Sequence, residues 1–185
     1  GLGDVYKRQP DAYDDFVILQ TFVKNISSTQ RTGVYVGVMC DFDVQPSSAS
    51  NYGWSDAGRR LTFMTVTRTN HNPTVGVKLL QPTTASNLAL IDHAIYVYPS
   101  NQPTEQTKIN FLNGTIRCPT ATRQYDWSIC VAAGPFTINP NDSVCVAFAF
   151  IGATDTVTIK RYADTAQRWY NSEWIVGVEE EKTRG

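Results

Sequence analysis

The chain has 185 residues, of which 18% are charged, and its formal net charge is −1. This length fits one domain with a core that forms without metals or disulfides. The balanced charge argues against nucleic acid or an anionic membrane as a partner. No apolar stretch is long enough to span a bilayer. Few charges with many Thr, Ser, Asn, Val and Tyr residues are typical of β-rich secreted domains, so we predict an extracellular or cell-surface location.

The chain begins with GLGDVYKRQ, a short basic stretch that lacks a methionine, an apolar run and a cleavage site. A DNA sequence that encodes these nine residues resembles a transposase adapter used to build shotgun sequencing libraries. We therefore interpret residues 1–9 as an adapter-derived or disordered arm from a metagenomic read, with the natural protein beginning near Pro10. The alternative is a genuine flexible arm.

Short segments with two-residue periodicity follow, and they predict strands. In GVYVGVMCDFDV the apolar set falls on one face and Tyr35, Gly37, Met39, Asp41 and Asp43 fall on the other. The predicted inward set is Val34, Val36, Val38, Cys40, Phe42 and Val44. The other predicted strands are DFVILQTFVKN, RRLTFMTVTRT, TVGVKLLQP, HAIYVYP, DWSICVAAGPFTI and SVCVAFAFIGA.

Turn chemistry separates these segments. QPSSASNYGWSDAG is predicted to be a loop, and NPND is predicted to be a type I turn with Pro140 in its second position. Seven or eight short strands at this spacing predict a mainly β fold, an antiparallel β-sandwich of immunoglobulin-like or jelly-roll-like type. The sandwich is predicted to occupy residues 10–178, with residues 179–185 as a charged tail or linker.

Two segments have helical patterns. TEQTKINFLNG has Thr104 as a predicted N-cap and Gly114 just past its end, which predicts a short helix. A longer C-terminal helix is predicted after Asp155, because apolar residues then recur with helical spacing. Its predicted apolar stripe is Ile159, Tyr162, Ala163, Ala166, Trp169 and Tyr170.

The four cysteines, Cys40, Cys118, Cys130 and Cys145, form no C-x-x-C pair, and the chain has only two histidines, so a zinc site is not expected. Buried free thiols are one interpretation, and disulfides in an oxidising compartment are the other. Among the disulfides, we favour Cys118–Cys130, because these two residues flank one loop.

Candidate sites are few. Asp41 and Asp43 project from one face of a strand, and we predict a structural calcium site there if further carboxylates complete the shell. The candidates for completing it are Asp11, Asp14, Asp15 and Asp56, although Asp56 could instead pair with Arg59 or Arg60. No nucleophile motif links a Ser, a His and an Asp, so we predict no catalytic residue and interpret Asp92-His93 as a strand-end pair.

Two surfaces could bind partners. An exposed strand edge accepts another strand. The segment with Phe16, Val17, Ile18 and Leu19 could pair with its own sandwich or could equally be donated to a neighbouring subunit. Exposed aromatic rings could stack on sugars. The candidate rings for such a platform are Tyr52, Trp54, Trp127, Trp169 and Trp174.

Several phrases in order along residues 11–181, including VGVMCDFDV, VGVKLLQP, LIDHAIYVYP and YDWSICVAAGPFTINPNDSVCVAFAFIG, resemble a family. The family is the β-rich domain found C-terminal to secreted subtilisin-like (S8) serine peptidases of Bacteroidota and related candidate phyla. The peptidase motifs do not occur in this chain, so the resemblance implies an accessory domain and not the enzyme.

The prediction is thus a non-catalytic structural or adhesion module of a larger secreted protein, whose partners are other domains of that protein or copies of itself. One alternative is a subunit of an extracellular filament that assembles as a homopolymer by strand donation. The other is a carbohydrate- or protein-binding accessory domain of a secreted peptidase.

Overall fold

The structure is a computed structural model that describes residues 2–5 and 15–174. Its antiparallel strands form two sheets, as the alternating pattern predicted. Eight strands lie between Phe16 and Ala153, and a short strand near the beginning of the chain extends one sheet. The strands are β1 Leu2–Val5, β2 Phe16–Lys24, β3 Arg31–Cys40, β4 Tyr52–Asp56, β5 Leu61–Thr65, β6 Thr74–Gln81, β7 Asn87–Asp92, β8 Trp127–Ile138 and β9 Ser143–Ala153.

The larger sheet has the strand order β1-β2-β9-β6-β5-β4, and the smaller has the order β3-β8-β7. Their facing sides enclose the middle layer of the protein, where Trp127, Met64 and Phe148 are almost completely buried. Val36, Val38 and Cys40 of β3 pack against this layer, so the predicted face is confirmed for these residues. Burial of such apolar surface is the main favourable term in folding.

A long helix covers the outer side of the larger sheet. This helix, α3, spans Thr156–Trp169, and its N-cap Asp155 accepts hydrogen bonds from the backbone N–H groups of Val157 and Thr158. Its apolar stripe packs on the outward residues of β2, β5 and β9, with Ile159 fully buried. The predicted C-terminal helix and its cap are therefore confirmed.

Two short helices cover the outer side of the smaller sheet. Helix α1 spans His93–Tyr96, and α2 spans Glu105–Leu112 with Thr104 as its N-cap. Phe111 packs on the outward residues of β7 and β8, and its ring meets that of Tyr96 edge-on, with centroids 5.0 Å apart. The molecule therefore has four layers, with helices on both outer sides of the sandwich.

Three sequence-based expectations were wrong in detail. HAIYVYP begins with helix α1, because the Asp92 side chain caps the backbone N–H of Ala94 and turns the chain out of the sheet after β7. Part of the predicted loop QPSSASNYGWSDAG is strand β4, which pairs with β5. In NPND, the N–H of Asp142 bonds to the carbonyl of Asn139, but Asn141 has φ +67, as a type II turn requires at this position.

The predicted boundaries at both ends fall largely outside the described residues. Of the proposed arm, only the backbone of Leu2–Val5 is described, and it pairs antiparallel with β2. The predicted tail at 179–185 lies wholly outside them. Among the described helices, none has the length and apolar character needed to cross a bilayer.

Candidate functional site

Three chain segments converge at one end of the smaller sheet. Strands β3 and β7 both run antiparallel to β8, so the last residues of β3 and β7 lie beside the first residues of β8. Asp41, His93 and Asp126 sit at these three ends, and the strand alternation directs them to the outward side, as it does Ser128. The topology thus assembles one cluster from distant parts of the sequence.

The four side chains are in close contact around the imidazole ring. His93 Nε2 lies 2.5 Å from Ser128 Oγ and 3.9 Å from Asp41 Oδ1, while His93 Nδ1 lies 3.4 Å from Asp126 Oδ1. Asp41, His93 and Asp126 each offer one metal-binding atom, and these atoms lie within 4.8 Å of one another. Each ring nitrogen therefore faces an acidic side chain.

The ring of His93 is held in a fixed place. Its side chain is only 4% exposed, and its backbone N–H donates to the Asp126 carbonyl at 3.2 Å. The Tyr98 hydroxyl donates to Asp126 Oδ2, and the Tyr98 and His93 rings meet edge-on with centroids 5.5 Å apart. The hydrogen bond to Asp126 raises the pKa of Tyr98 to about 12. The site is thus preorganised around His93.

The cluster has more negative charge than its hydrogen-bond donors satisfy. Asp126 Oδ1 is buried and accepts no hydrogen bond within the described part of the chain. Partial burial raises the pKa of Asp41 above its usual range, and the neighbouring charges of Asp43 and Asp126 raise it further, against the opposing effects of His93 and Ser128. These effects show that both acidic groups lie where a nearby positive charge would be favourable.

A cavity of about 250 Å³ adjoins the cluster, between the smaller sheet and helices α1 and α2. Asp41, Ser128 and Lys108 are its ionisable or polar lining residues. The remaining walls are apolar, formed by Met39, Ile91, Tyr96, Val97, Pro103 and Phe111. The cluster is therefore reachable from a partly apolar space, although His93 itself is buried.

The residue before His93 has a separate role. Asp92 does not bind His93; it caps α1 and accepts two hydrogen bonds from the Arg123 guanidinium, at 2.7 and 2.9 Å. Arg123 also lies over the Tyr125 ring, 4.6 Å from its centroid. Asp92 is the last residue of β7 and His93 is the first of α1, so the predicted position at a strand end is confirmed, although the two side chains bind different partners.

Among the described residues, the predicted calcium ligands are not gathered into one group. Asp43 is not part of the group formed around Asp41. Asp56 binds Arg59 with a carboxylate–guanidinium distance of 3.0 Å, which is the alternative that the sequence left open. Asp15 precedes β2 in the larger sheet, and Asp11 and Asp14 lie outside the described residues. Sequence reasoning found Asp41 but missed His93, Asp126 and Ser128, although the alternation in DWSIC could have placed Asp126 and Ser128 together.

Cys40, Cys118 and Cys130 are free thiols. Cys118 packs against the middle layer of the protein, whereas Cys130 lies in the layer beneath α2, on the other side of the smaller sheet. The sheet thus lies between the two residues of the predicted Cys118–Cys130 disulfide, and they are not bridged. Burial raises the pKa of Cys130 to about 12 and that of Cys40 to about 11, so both are weak nucleophiles.

The structure places the two predicted partner surfaces as follows. Phe16, Val17, Ile18 and Leu19 belong to β2, which pairs with β9 of the same chain along its whole length. Of the proposed aromatic platform, Tyr52, Trp127 and Trp169 are buried, Trp54 is partly buried, and the side chain of Trp174 lies outside the described part. These rings do not form a shared exposed plane.

Two kinds of chemistry fit a Ser–His–Asp arrangement of this kind. A neutral His93 that donates to Asp126 can accept the Ser128 proton, as in serine nucleophile activation. However, Asp41 also accepts a hydrogen bond from Ser128, and a carboxylate beside the hydroxyl disfavours the negative charge that develops during acyl transfer. Two carboxylates, an imidazole and a hydroxyl are better suited to binding a cation.

Comparison with models of known protein families found none that matches this chain. Comparison with curated proteins likewise found no match.

Proposed function

We propose that this protein is a non-catalytic structural or adhesion module of a larger extracellular protein, and that it contacts its partner through the side of the molecule formed by α1 and α2. The observation that carries the proposal is the distribution of exposed apolar side chains. Among the residues whose burial the structure describes, five of the eight large ones belong to the segments around the cavity at α1 and α2: Met39, Ile95, Val97, Tyr98 and Ile109. Concentrated apolar exposure of this kind marks surfaces that bind other proteins.

The edges of the sheets support contact through this face and not through added strands. The outer edge of β4 is covered, because Ser55 N–H donates to the Pro119 carbonyl at 2.7 Å and Ala121 N–H donates to the Gly53 carbonyl at 3.0 Å. At the outer edge of β7, Leu90 N–H donates to the Cys118 carbonyl at 2.8 Å. Such covering prevents pairing between sheets of different molecules.

The edge strand β3 is protected differently. Its register against β8 shifts twice, between Arg31 and Val34 and again between Val34 and Val36, and Gly33 adopts φ +66. Irregularities of this kind twist an edge away from an incoming strand. These three edges are therefore poorly suited to polymerisation, which favours a self-contained module.

The proposal is tested by photo-crosslinking in the protein as its natural host secretes it. A photoreactive amino acid in place of Ile95 should crosslink to another domain or a partner protein. The same amino acid in place of Val157, which is exposed on α3 at the opposite side, is the matched control and should give little crosslinking. Equal crosslinking from both positions, or none from Ile95, would contradict the proposal.

The non-catalytic part has its own test. We expect purified protein to hydrolyse activated p-nitrophenyl esters no faster than the S128A variant does. Hydrolysis that requires both Ser128 and His93 would assign the cluster to catalysis instead.

A second candidate function is filament formation by strand donation, and one observation favours it. Strand β1 pairs with β2 at the end of the larger sheet, from Leu2 opposite Val23 to Val5 opposite Gln20. A neighbouring molecule can supply a strand with the same pairing. This candidate predicts fibres in negative-stain electron micrographs of the native material, whereas the preferred function predicts a discrete particle.

A further inference from the structure

We propose that Asp41, His93 and Asp126 form a binding site for a divalent transition-metal ion of the zinc class. The inference is independent of the proposed function, since a structural metal can stabilise a module whatever the module contacts. It rests on donor type, spacing and charge at the end of the smaller sheet.

The donor set selects the metal class. An imidazole nitrogen with two carboxylates suits zinc and its neighbours in the first transition series, which bind mixed nitrogen and oxygen ligands. Calcium prefers six to eight oxygen ligands, and an imidazole nitrogen is not among its usual ligands. The presence of His93 between the two carboxylates therefore replaces the calcium prediction with a transition metal.

The spacing is close to that of a bound ion. With metal–ligand bonds of about 2.1 Å, ligand atoms of a tetrahedral site are about 3.4 Å apart. The His93 Nδ1 to Asp126 Oδ1 distance is 3.4 Å. The three donor atoms lie within 4.8 Å of one another, so the widest pair must approach by up to about 1.4 Å to reach this spacing. Asp41 can make this movement, because its side chain is 51% exposed just past the end of β3.

The charge balance requires a cation. Two acidic side chains surround a histidine whose side chain is 4% exposed, and one oxygen of Asp126 is buried without a hydrogen-bond donor. The nearby cations have other partners: Arg123 binds Asp92 and Lys108 binds Glu105 at 2.7 Å. A metal ion would satisfy the unpaired oxygen and offset both negative charges.

The surroundings resemble those of metal sites with an open position. If Nδ1 of His93 coordinates, Nε2 keeps its hydrogen bond with Ser128 Oγ at 2.5 Å. Tyr98 orients Asp126 by donating to its other oxygen. Such outer contacts are typical of metal ligands. With three protein ligands, the fourth position is left for water or for a group that enters the adjoining cavity.

The test is thermal unfolding of the metal-stripped full chain with added Zn²⁺, together with the visible spectrum of the Co²⁺ form. Saturation at about 100 times the dissociation constant should raise Tm by roughly 5–10 °C. Tetrahedral Co²⁺ should give intense visible absorption. D41N is the informative variant. Because Asp41 is half-exposed, this variant should fold, and we expect it to lose Zn²⁺ affinity at least tenfold.

Matched controls come from the same chain. H93Q should abolish binding, while H71Q should not, because His71 is the other histidine and lies on an exposed loop between β5 and β6. D43N should also bind normally, since Asp43 is near Asp41 in sequence but outside the cluster. Zn²⁺ stabilisation that persists in D41N and H93Q, stabilisation by Ca²⁺ but not by Zn²⁺, or no stabilisation of the wild type would each overturn the proposal.

Discussion

Lys78 is a buried cation on β6, in the larger sheet. Its side chain is enclosed between the sheet and the residues near the start of β5, and its Nζ donates to the Arg59 carbonyl at 2.5 Å. Burial lowers the pKa of Lys78 to about 8, and the charge of Arg60 lowers it further. Because the folded protein favours the neutral amine, this residue makes stability depend on pH.

The sign of that dependence follows from proton linkage. Below about pH 8 the lysine is charged in both states, and the cost of burying it is fully present. Between pH 8 and 10.5 the unfolded chain binds more protons than the folded one, so the Lys78 contribution to stability rises with pH. The buried thiols of Cys40 and Cys130 act in the opposite direction above pH 9, because their pKa values are raised on folding.

We therefore predict the pH effect as a difference between variants. From pH 8 to 9.5, the unfolding free energy of the wild type should rise by about 2 kcal/mol relative to that of K78M. Urea denaturation across this range measures the difference, and K24M, which replaces an exposed lysine, is the control. A constant difference between wild type and K78M would show that Lys78 is not desolvated.

At the scale of elements, the contact between α2 and the smaller sheet depends on a small residue in β3. A Cβ atom on Gly37 would lie 2.6 Å from a methyl carbon of Leu112 and 2.9 Å from the Cβ of Ala132. Real Cβ atoms do not approach other atoms this closely, so the Leu112 side chain would have to reorient and β3 would have to shift away from β8. The close approach of this helix also shapes the cavity beside Asp41.

G37A should therefore lose about 1–3 kcal/mol of unfolding free energy through overpacking. G152A is the matched control, because Gly152 also lies in a strand and a Cβ atom there meets nothing within 4 Å. Its unfolding free energy should change by no more than about 0.5 kcal/mol. Guanidinium denaturation measures the unfolding free energy of both variants. Equal losses of unfolding free energy in G37A and G152A would contradict the packing argument.

At the scale of the whole molecule, single strands connect the layers. Strand β9 places Val146 and Phe148 in the middle layer and Ala147 and Ala149 beneath α3. Strand β8 likewise faces the middle layer on one side and α2 on the other. If one layer unfolds, the strands beneath it lose their packing on that side, and the same strands form the neighbouring layer. We therefore expect the domain to unfold in one cooperative step.

I159A tests this cooperativity, because Ile159 is a fully buried residue of α3 that packs on the larger sheet. The cavity should cost about 2–5 kcal/mol, and far-UV circular dichroism and tryptophan fluorescence should shift to the same lower midpoint. V157A, at an exposed position of the same helix, should leave both midpoints nearly unchanged. Two separated transitions in I159A would mean that α3 unfolds on its own.

The sequence by itself determined the local features of this protein. Two-residue alternation set the inward face of β3, and the Asp155 and Thr104 caps set the starts of α3 and α2, because side-chain direction and capping depend on near neighbours. The same local signals misassigned HAIYVYP, where the side chain of Asp92 outweighs the strand propensity of the apolar residues after it.

Only the tertiary structure decided the candidate site. Asp41, His93 and Asp126 are separated by dozens of residues, and no spacing relates them. They meet because β3 and β7 flank β8 in antiparallel pairing and end at the same place. Strand order depends on the packing of the whole chain, whereas alternation depends on adjacent residues. For this reason the sequence indicated which face Asp41 occupies but not which side chains lie beside it.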